Sequence, residues 1–340
     1  MLRAALIGFG GIAKAHRKAF AKLEEQGIAT LVCAHDINPE AFTAKISINI
    51  DSDAVDLPEH INFYTDLDEM FAKEQFDFVD ICVPSFLHSK ISCDVLRRGY
   101  HVMCEKPMAL HYEDCAAMMR AAKESGKELM IGQCLRFYPA FDYIKAAIDD
   151  KRFGKVTGGF FSRLSEPPYW GWEQWFMDPE RSGGCITDLH VHDVDIIRYL
   201  FGEPEAVSCH ASTTVCRHDT VHTSFFYGDS TPITAIGDWT LTGVPFHANS
   251  RIDFELATVT LEGSSKLTVY PKNGDAKPYA VELKSISGQE GELAYFCDVI
   301  NGKIKNERNP ASSAANTIRL VEHMRRSADA CGALTPFSAI

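Results

Sequence analysis

The sequence has no Cys-x-x-Cys pair, although 11 cysteines are scattered from Cys33 to Cys331. That odd, dispersed set argues against a zinc ribbon and a disulfide framework, and fits free thiols in a reducing cytoplasm. Positive charge is also short: 34 Lys and Arg stand against 46 Asp and Glu, a formal net charge of −12. Nucleic acid or an anionic membrane needs the opposite balance, so neither partner is expected. No apolar run approaches the ~20 residues of a membrane span. The N-terminus enters a strand-like run at once, without a signal-peptide layout, so a cytoplasmic location is expected. Gly-x-x-x-x-Gly-Lys-Ser/Thr, Gly-x-Ser-x-Gly and internal repeats are missing too, which removes their associated chemistries from consideration.

What is present fits two domains. The chain has 340 residues and is 46% hydrophobic, enough for two cores. Leu2 to Ile7 reads as a buried strand and runs into Gly8-Phe9-Gly10-Gly11-Ile12-Ala13, a G-x-G-x-x-A before a helical pattern. Such glycines permit a tight turn and let backbone N–H groups approach a pyrophosphate at a helix N-terminus. A second strand ends at Asp36, at the spacing of an acid that bonds the adenosine ribose hydroxyls. No Lys or Arg follows Asp36 before Lys45, so NAD is expected over NADP. Strands and helices then alternate to about residue 134, with Ile46–Pro58 expected as a loop. This pattern predicts a doubly wound parallel sheet. Gly8, Asp36, Pro84 and Glu105-Lys106 all lie at strand ends and are expected to share a crevice.

The second marked stretch is Ser182 to Gly202, SGGCITDLHVHDVDIIRYLFG. It predicts one helix, capped by Ser182 and closed by Gly202. Asp188, His192, Asp195 and Tyr199 would form a stripe pointing away from the core. An acid and a histidine one turn apart suit proton transfer, because a carboxylate favours the charged imidazole. A solvated face carrying an incidental pair fits the spacing equally well. His190-x-His192 has strand-like ligand spacing, but on a helix the two rings diverge by about 160°, so no metal is expected.

The runs AALIGFGGIA, VDICVPSFLHSKI, RRGYHVMCEKPMAL, RFYPAF and SGGCITDLHVHDVD resemble the glucose–fructose oxidoreductase/inositol dehydrogenase family, Gfo/Idh/MocA. The resemblance implies an α/β Rossmann domain, placed at residues 1–127. It implies an α+β domain with a large, mostly antiparallel sheet, placed at 128–340. It further implies NAD-dependent hydride transfer on a secondary alcohol of a sugar, cyclitol or other polyol. Lys106, Asp188 and His192 would be the catalytic set: His192 the base, Asp188 its partner, Lys106 the cation that binds the reacting oxygen. Gly8, Phe9, Gly10, Gly11, Ile12, Asp36, Pro84, Ser85, His88, Glu105 and Lys106 would line the cofactor site. Many members carry Asn in place of Ser85 and a small residue in place of His190.

Arg136, Arg163, Trp172, His190 and His247 are candidate substrate contacts; an ion pair at the domain junction is the competing role for Arg136. Residues 166–176 hold three of the four tryptophans, and the loop is a candidate wall for a sugar or nicotinamide ring. Strands are expected at Ala206–Val215, Val221–Tyr227, Pro232–Leu241, Ile252–Leu261 and Lys266–Tyr270. Phe225, Tyr227, Ile233, Ile236 and Trp239 offer a face for a homodimer or homotetramer, or for burial under helices. Two further activities stay open: a glycosidase working by transient oxidation, and a non-catalytic NAD-binding regulator.

Overall fold

The computed structural model describes residues 1–43, 60–274 and 276–339, so the expected loop Ile46–Pro58 lies outside the described residues. The chain forms two compact units, Met1–Cys134 with Ser287–Ala315, and Leu135–Ile286 with Asn316–Ile340. The sequence-based division after residue 127 falls just before a strand that pairs into the first sheet.

The first unit runs β1 (Leu2–Ile7), α1 (Ala13–Glu25), β2 (Ala29–His35), β3 (Asn62–Tyr64), α2 (Leu67–Lys73), β4 (Phe78–Ile81), α3 (His88–Arg97), β5 (His101–Glu105), α4 (Tyr112–Ser125) and β6 (Leu129–Gly132). The strands form a parallel sheet in the order β3-β2-β1-β4-β5-β6. β2 and β4 are buried at every residue, as parallel strands covered on both faces must be, and this explains their largely apolar runs, broken by Thr30, His35 and Asp80. Several ends follow local chemistry. α4 stops at Gly126, whose φ of 66° favours glycine. α2 is capped by Asp66, whose side chain accepts from Glu69 N at 2.8 Å. The helix Gly288–Ile300 returns to this unit from far along the chain. Its Phe296 meets Phe78 edge-on at 5.6 Å. Beyond it, Asn309 Nδ2 donates to Ile131 O at 2.7 Å.

The second unit contains α5 (Pro139–Asp149), β7 (Val156–Leu164), α6 (Pro179–Ser182), α7 (Cys185–Asp188) and α8 (Val191–Phe201). β8 (Ala206–Ser212), β9 (Thr220–Phe226), β10 (Ile233–Asp238), β11 (His247–Phe254), β12 (Ala257–Glu262), β13 (Lys266–Pro271) and β14 (Tyr279–Ala280) follow. Gly288–Ile300 is α9, and α10 (Ala311–Asp329) and β15 (Thr335–Pro336) end the chain. The nine strands are ordered β14-β13-β12-β11-β7-β10-β9-β8-β15. Only β7 and β10 run parallel, so the sheet is mixed and mostly antiparallel.

Two expectations change here. The single strand Ile252–Leu261 is a hairpin, β11 and β12, with Leu256 at its exposed tip. Inward and outward residues keep alternating on both sides of the turn, so the hydrophobic pattern does not mark it. The helix Ser182–Gly202 is two helices, α7 and α8, behind the end of α6. Gly183 and Gly184 both take positive φ, 75° and 73°, which ends α6 at Ser182 and leaves Gly184 as the cap of α7. Of the candidate association residues, Phe225, Ile233 and Trp239 are buried. On the same sheet Phe161 meets Phe201 of α8 edge-on at 6.2 Å, so this face is packed by helix.

Candidate active site

In the first unit the residues that follow β1, β2, β4 and β5 emerge at one sheet edge, because these strands are parallel. β1 lies between β2 and β4, where the winding direction reverses and ligands bind in such sheets. Gly8 has a φ of 90°, and a Cβ on it would stand 2.6 Å from Cys82 O. Only glycine lets the turn lie this close to the end of β4. Gly8 N donates to His35 O at 2.9 Å, and Phe9 N donates to Asp36 Oδ2 at 2.7 Å. Among the described residues, the N–H groups of Gly10, Gly11 and Ile12 meet no acceptor. A Cβ on Gly10 would touch nothing within 4 Å. Free donors in open space at the start of α1 fit a dinucleotide pyrophosphate.

Asp36 makes a second contact. Its Oδ1 also accepts from Asn38 N at 2.8 Å, so the carboxylate staples the glycine turn to the end of β2. Each oxygen keeps a lone pair for a ligand. Phe9 is buried, edge-on to Phe42 at 5.3 Å and to Phe63 at 5.7 Å, and the Arg17 guanidinium lies 4.9 Å from its ring centre. The sequence pattern gave no sign of this aromatic cluster. Pro84 precedes a 3₁₀ turn, Ser85–Leu87, and Ser85 is buried. His88 is also buried and bridges the segments after β4 and β5: Nδ1 lies 2.7 Å from Pro107 O, Nε2 2.9 Å from Val83 O. Burial lowers its pKa, against the pull of these two carbonyls. Lys106 is half-buried. Its N–H donates to Glu105 Oε2 at 2.9 Å, and the Lys106–Pro107 bond is cis.

In the second unit Asp188 ends α7 and His192 lies in the first turn of α8. Leu189 and His190 between them keep right-handed helical angles. His190 N bonds Cys185 O, five residues back, at 2.8 Å. Asp188 lies inside this widened turn and His192 two residues beyond it. Such turns are rare and recur at functional sites. Asp188 is 9% exposed and His192 half-buried.

The stripe expected to face away from the core is instead held by protein. Asp195 takes a bidentate pair from Arg136, both contacts 2.7 Å, and a bond from Thr317 Oγ1 at 2.8 Å. Tyr199 lies under the same guanidinium, 5.2 Å away. Arg136 is therefore an interior ion-pair partner rather than an exposed substrate contact. Arg163 is another, pairing with Asp193 at 2.9 and 3.1 Å. His190 is fully buried, with Nε2 3.1 Å from Thr223 Oγ1. Burial pushes its pKa down to about 4. A Cβ at Gly237 would stand 3.0 Å from its ring, so the ring is core packing. The aromatic loop divides. Trp175 is buried and stacks on Phe176 at 3.9 Å, while Tyr169, Trp170 and Trp172 are exposed. Arg181 lies 5.5 Å from the Trp172 ring. His247 is exposed at the start of β11.

Ligand-type residues do cluster, but away from His190 and His192: His16 with Asp80 and Cys82, and His16 with Glu105 and Glu292. No spacing in the chain announces this cluster, since its residues come from four distant segments.

Sequence comparison places both units in one family. Residues 2–133 match the oxidoreductase family with an NAD-binding Rossmann fold, and residues 141–265 match the GFO/IDH/MocA C-terminal domain. The chain belongs to the GFO/IDH/MocA family. Its first unit is an NAD-binding Rossmann domain. A 2,7-anhydro-N-acetylneuraminate hydratase of Mediterraneibacter gnavus is 34% identical over 151 residues, 42% of this chain and 38% of that protein. Inositol 2-dehydrogenase of Rhizobium meliloti is 30% identical over 217 residues, 63% of this chain and 59% of that protein. The chain thus spans less than two thirds of the length of these two relatives. Among solved structures, the WlbA dehydrogenase of Bordetella pertussis, in complex with NADH and UDP-GlcNAcA, superposes with a TM-score of 0.78. It is 24% identical, with 99% of each chain covered. Among the described residues no helix is long and apolar enough to cross a membrane.

Proposed function

We propose that this GFO/IDH/MocA protein is an NAD-dependent dehydrogenase acting on a secondary alcohol of a sugar, cyclitol or other polyol. The observation that carries the reading is the pairing of two features: a donor-rich glycine turn before α1, and an Asp188–His192 pair set at a widened helical turn. Similarity to inositol 2-dehydrogenase supports the substrate class. NAD, when bound, supplies the hydride acceptor.

The chain's own residues do the rest. The free N–H groups of residues 10–12 bind the pyrophosphate, and Asp36 accepts from the ribose. His192 takes the hydroxyl proton as general base. Asp188 favours the imidazolium that results. The Lys106 ammonium stabilises negative charge developing on the reacting oxygen. The exposed Trp172 and Tyr169 offer ring faces to a sugar. Association through the outward face of the nine-stranded sheet, where Phe226 and Tyr270 are exposed, belongs to the same proposal and is checked by sedimentation.

The test is absorbance of NADH across a panel of inositols, aldoses, glycosides and sugar acids. Accumulation of one NADH per substrate consumed is expected. Substrate conversion with no net NADH would favour transient oxidation instead. Tight NAD binding without turnover on the whole panel would favour a regulator.

A further inference from the structure

Four ionisable side chains meet inside the first unit. His16 of α1, Asp80 of β4 and Glu292 of α9 are fully buried, and Glu105 of β5 is 5% exposed. His16 Nδ1 lies 2.7 Å from Asp80 Oδ2, and its Nε2 lies 2.7 Å from Glu105 Oε1. An oxygen of Glu292, one of Glu105 and a nitrogen of His16 lie within 4.8 Å of one another. Among the described residues, neither Glu292 oxygen has a hydrogen-bond partner, and Asp80 Oδ1 has none.

A metal does not explain the cluster. His16 presents its two nitrogens from opposite edges of the ring, so one ion cannot join Asp80 to Glu105 through both. The 2.7 Å separations are hydrogen-bond lengths. Ligand atoms around a tetrahedral zinc sit roughly 3.3 Å apart. The cluster is held by protons.

Three carboxyls and one imidazole away from water cannot all be charged. Burial, helped by the charge of Glu105, holds the Glu292 carboxyl well above the usual range. Burial also raises Asp80, against the pull of His16. Glu105 goes the other way: burial is outweighed by the His16 hydrogen bond and by Lys106. For His16, burial is outweighed by Asp80, and the ring is held well above its ordinary value. An imidazolium donating to both carboxylates satisfies every one of these directions. The remaining neighbours do not supply a counter-charge. Burial pushes the Cys82 thiol to about 12 and raises Cys104 too. β6 brings only Leu129, Met130, Ile131 and Gly132. On α9 itself, Glu290 accepts from Gln26 and Asp298 from Lys303 at exposed positions.

We propose that Glu292 is a positioning residue for Lys106: it lies against the buried Asp80–His16–Glu105 chain as a neutral carboxylic acid, leaving Glu105 ionised with its second oxygen on the Lys106 N–H. The role rests on the proposed part of Lys106 in hydride transfer. Gly132 protects the arrangement, since a Cβ there would stand 3.3 Å from Glu105 Oε1. When Glu292 loses its proton, a second negative charge beside Glu105 competes for His16 and loosens the turn that carries Lys106.

The sign of the pH dependence follows. Folded Glu292 keeps a proton that the unfolded chain releases near pH 4.3. Stability contributed by that proton is complete below this pH and is lost as pH rises toward the folded value. The urea midpoint of apo protein should therefore fall between pH 6 and 9 in the wild type, and fall less steeply in Glu292→Gln. His16 acts in the same direction and remains, so the slope shrinks without vanishing. The alkaline limb of kcat should move up by one pH unit or more in Glu292→Gln, about tenfold in rate where the wild type is falling.

An unchanged stability slope overturns the neutral carboxyl. A reduced slope with an unmoved alkaline limb overturns the positioning role. Should Glu292→Gln fail to fold, the wild type alone decides the proton: refolding at pH 7 in weak buffer must take up more than the single proton that His16 accounts for. Uptake of one proton or fewer overturns the proposal. If the wild type turns over nothing on the panel, the dehydrogenase reading falls and the positioning role with it, while the apo slope still decides the proton.

Discussion

In the first unit every candidate residue follows a strand, and the parallel sheet alone delivers Gly8, Asp36, Pro84 and Lys106 to one edge. In the second unit the candidates sit on helices and sheet faces, and the fold divides them. Asp188 lies in the widened turn and His192 just beyond it, whereas Arg136, Arg163 and His190 are interior. A residue at the end of a parallel strand has one place to go. A charged residue on a helix has two, and what decides is whether a partner of opposite charge waits behind it. Asp195 waits for Arg136 and Asp193 for Arg163.

That contrast breaks most sharply at His192. His192→Ala should lower kcat about 10²–10⁴-fold while the NAD dissociation constant, measured by fluorescence titration, stays within threefold. A residue that only packed would cost stability and leave kcat near its original value. Next in size is Arg136. Arg136→Met strands Asp195 in the interior and should destabilise by about 3–5 kcal/mol in urea unfolding. Adding Asp195→Leu should recover most of that loss. A raised KM with unchanged stability would instead return Arg136 to the substrate.

His190 sharpens the comparison through pH. Its folded pKa of about 4 lies below the unfolded value, so its contribution is complete above pH 6.5 and is lost as pH falls toward 4. That window is worth about 3 kcal/mol. His190→Gln should flatten the acid limb of stability between pH 6.5 and 4, leaving the alkaline side to the His16 cluster. The smallest effect is expected at Asp36. Asp36→Ala should weaken NAD about tenfold, the order of one charge-assisted hydrogen bond, and also soften the glycine turn. Unchanged NAD affinity would leave Asp36 as a staple only.

The sequence made some of this legible, for physical reasons that differ by element. The glycine turn declares itself because only glycine fits beside Cys82, and the Rossmann strands because burial on both faces demands apolar runs. The break between α7 and α8 was hidden because Leu189 and His190 keep helical angles, so side-chain periodicity survives across it. The β11–β12 turn was hidden for the same kind of reason. The four-group cluster was out of reach: His16, Asp80, Glu105 and Glu292 have no shared spacing, and only the return of α9 unites them.

That return has a consequence for how the protein is made. The face of α1 that α9 covers, and the acid cluster behind it, stay open while residues 135–286 are synthesised. At ~5–20 residues per second this lasts roughly 8–30 s. A ribosome-bound chain ending before Ser287 should remain protease-sensitive around α1, and the nucleotide-binding half should mature only when nearly the whole polypeptide has emerged.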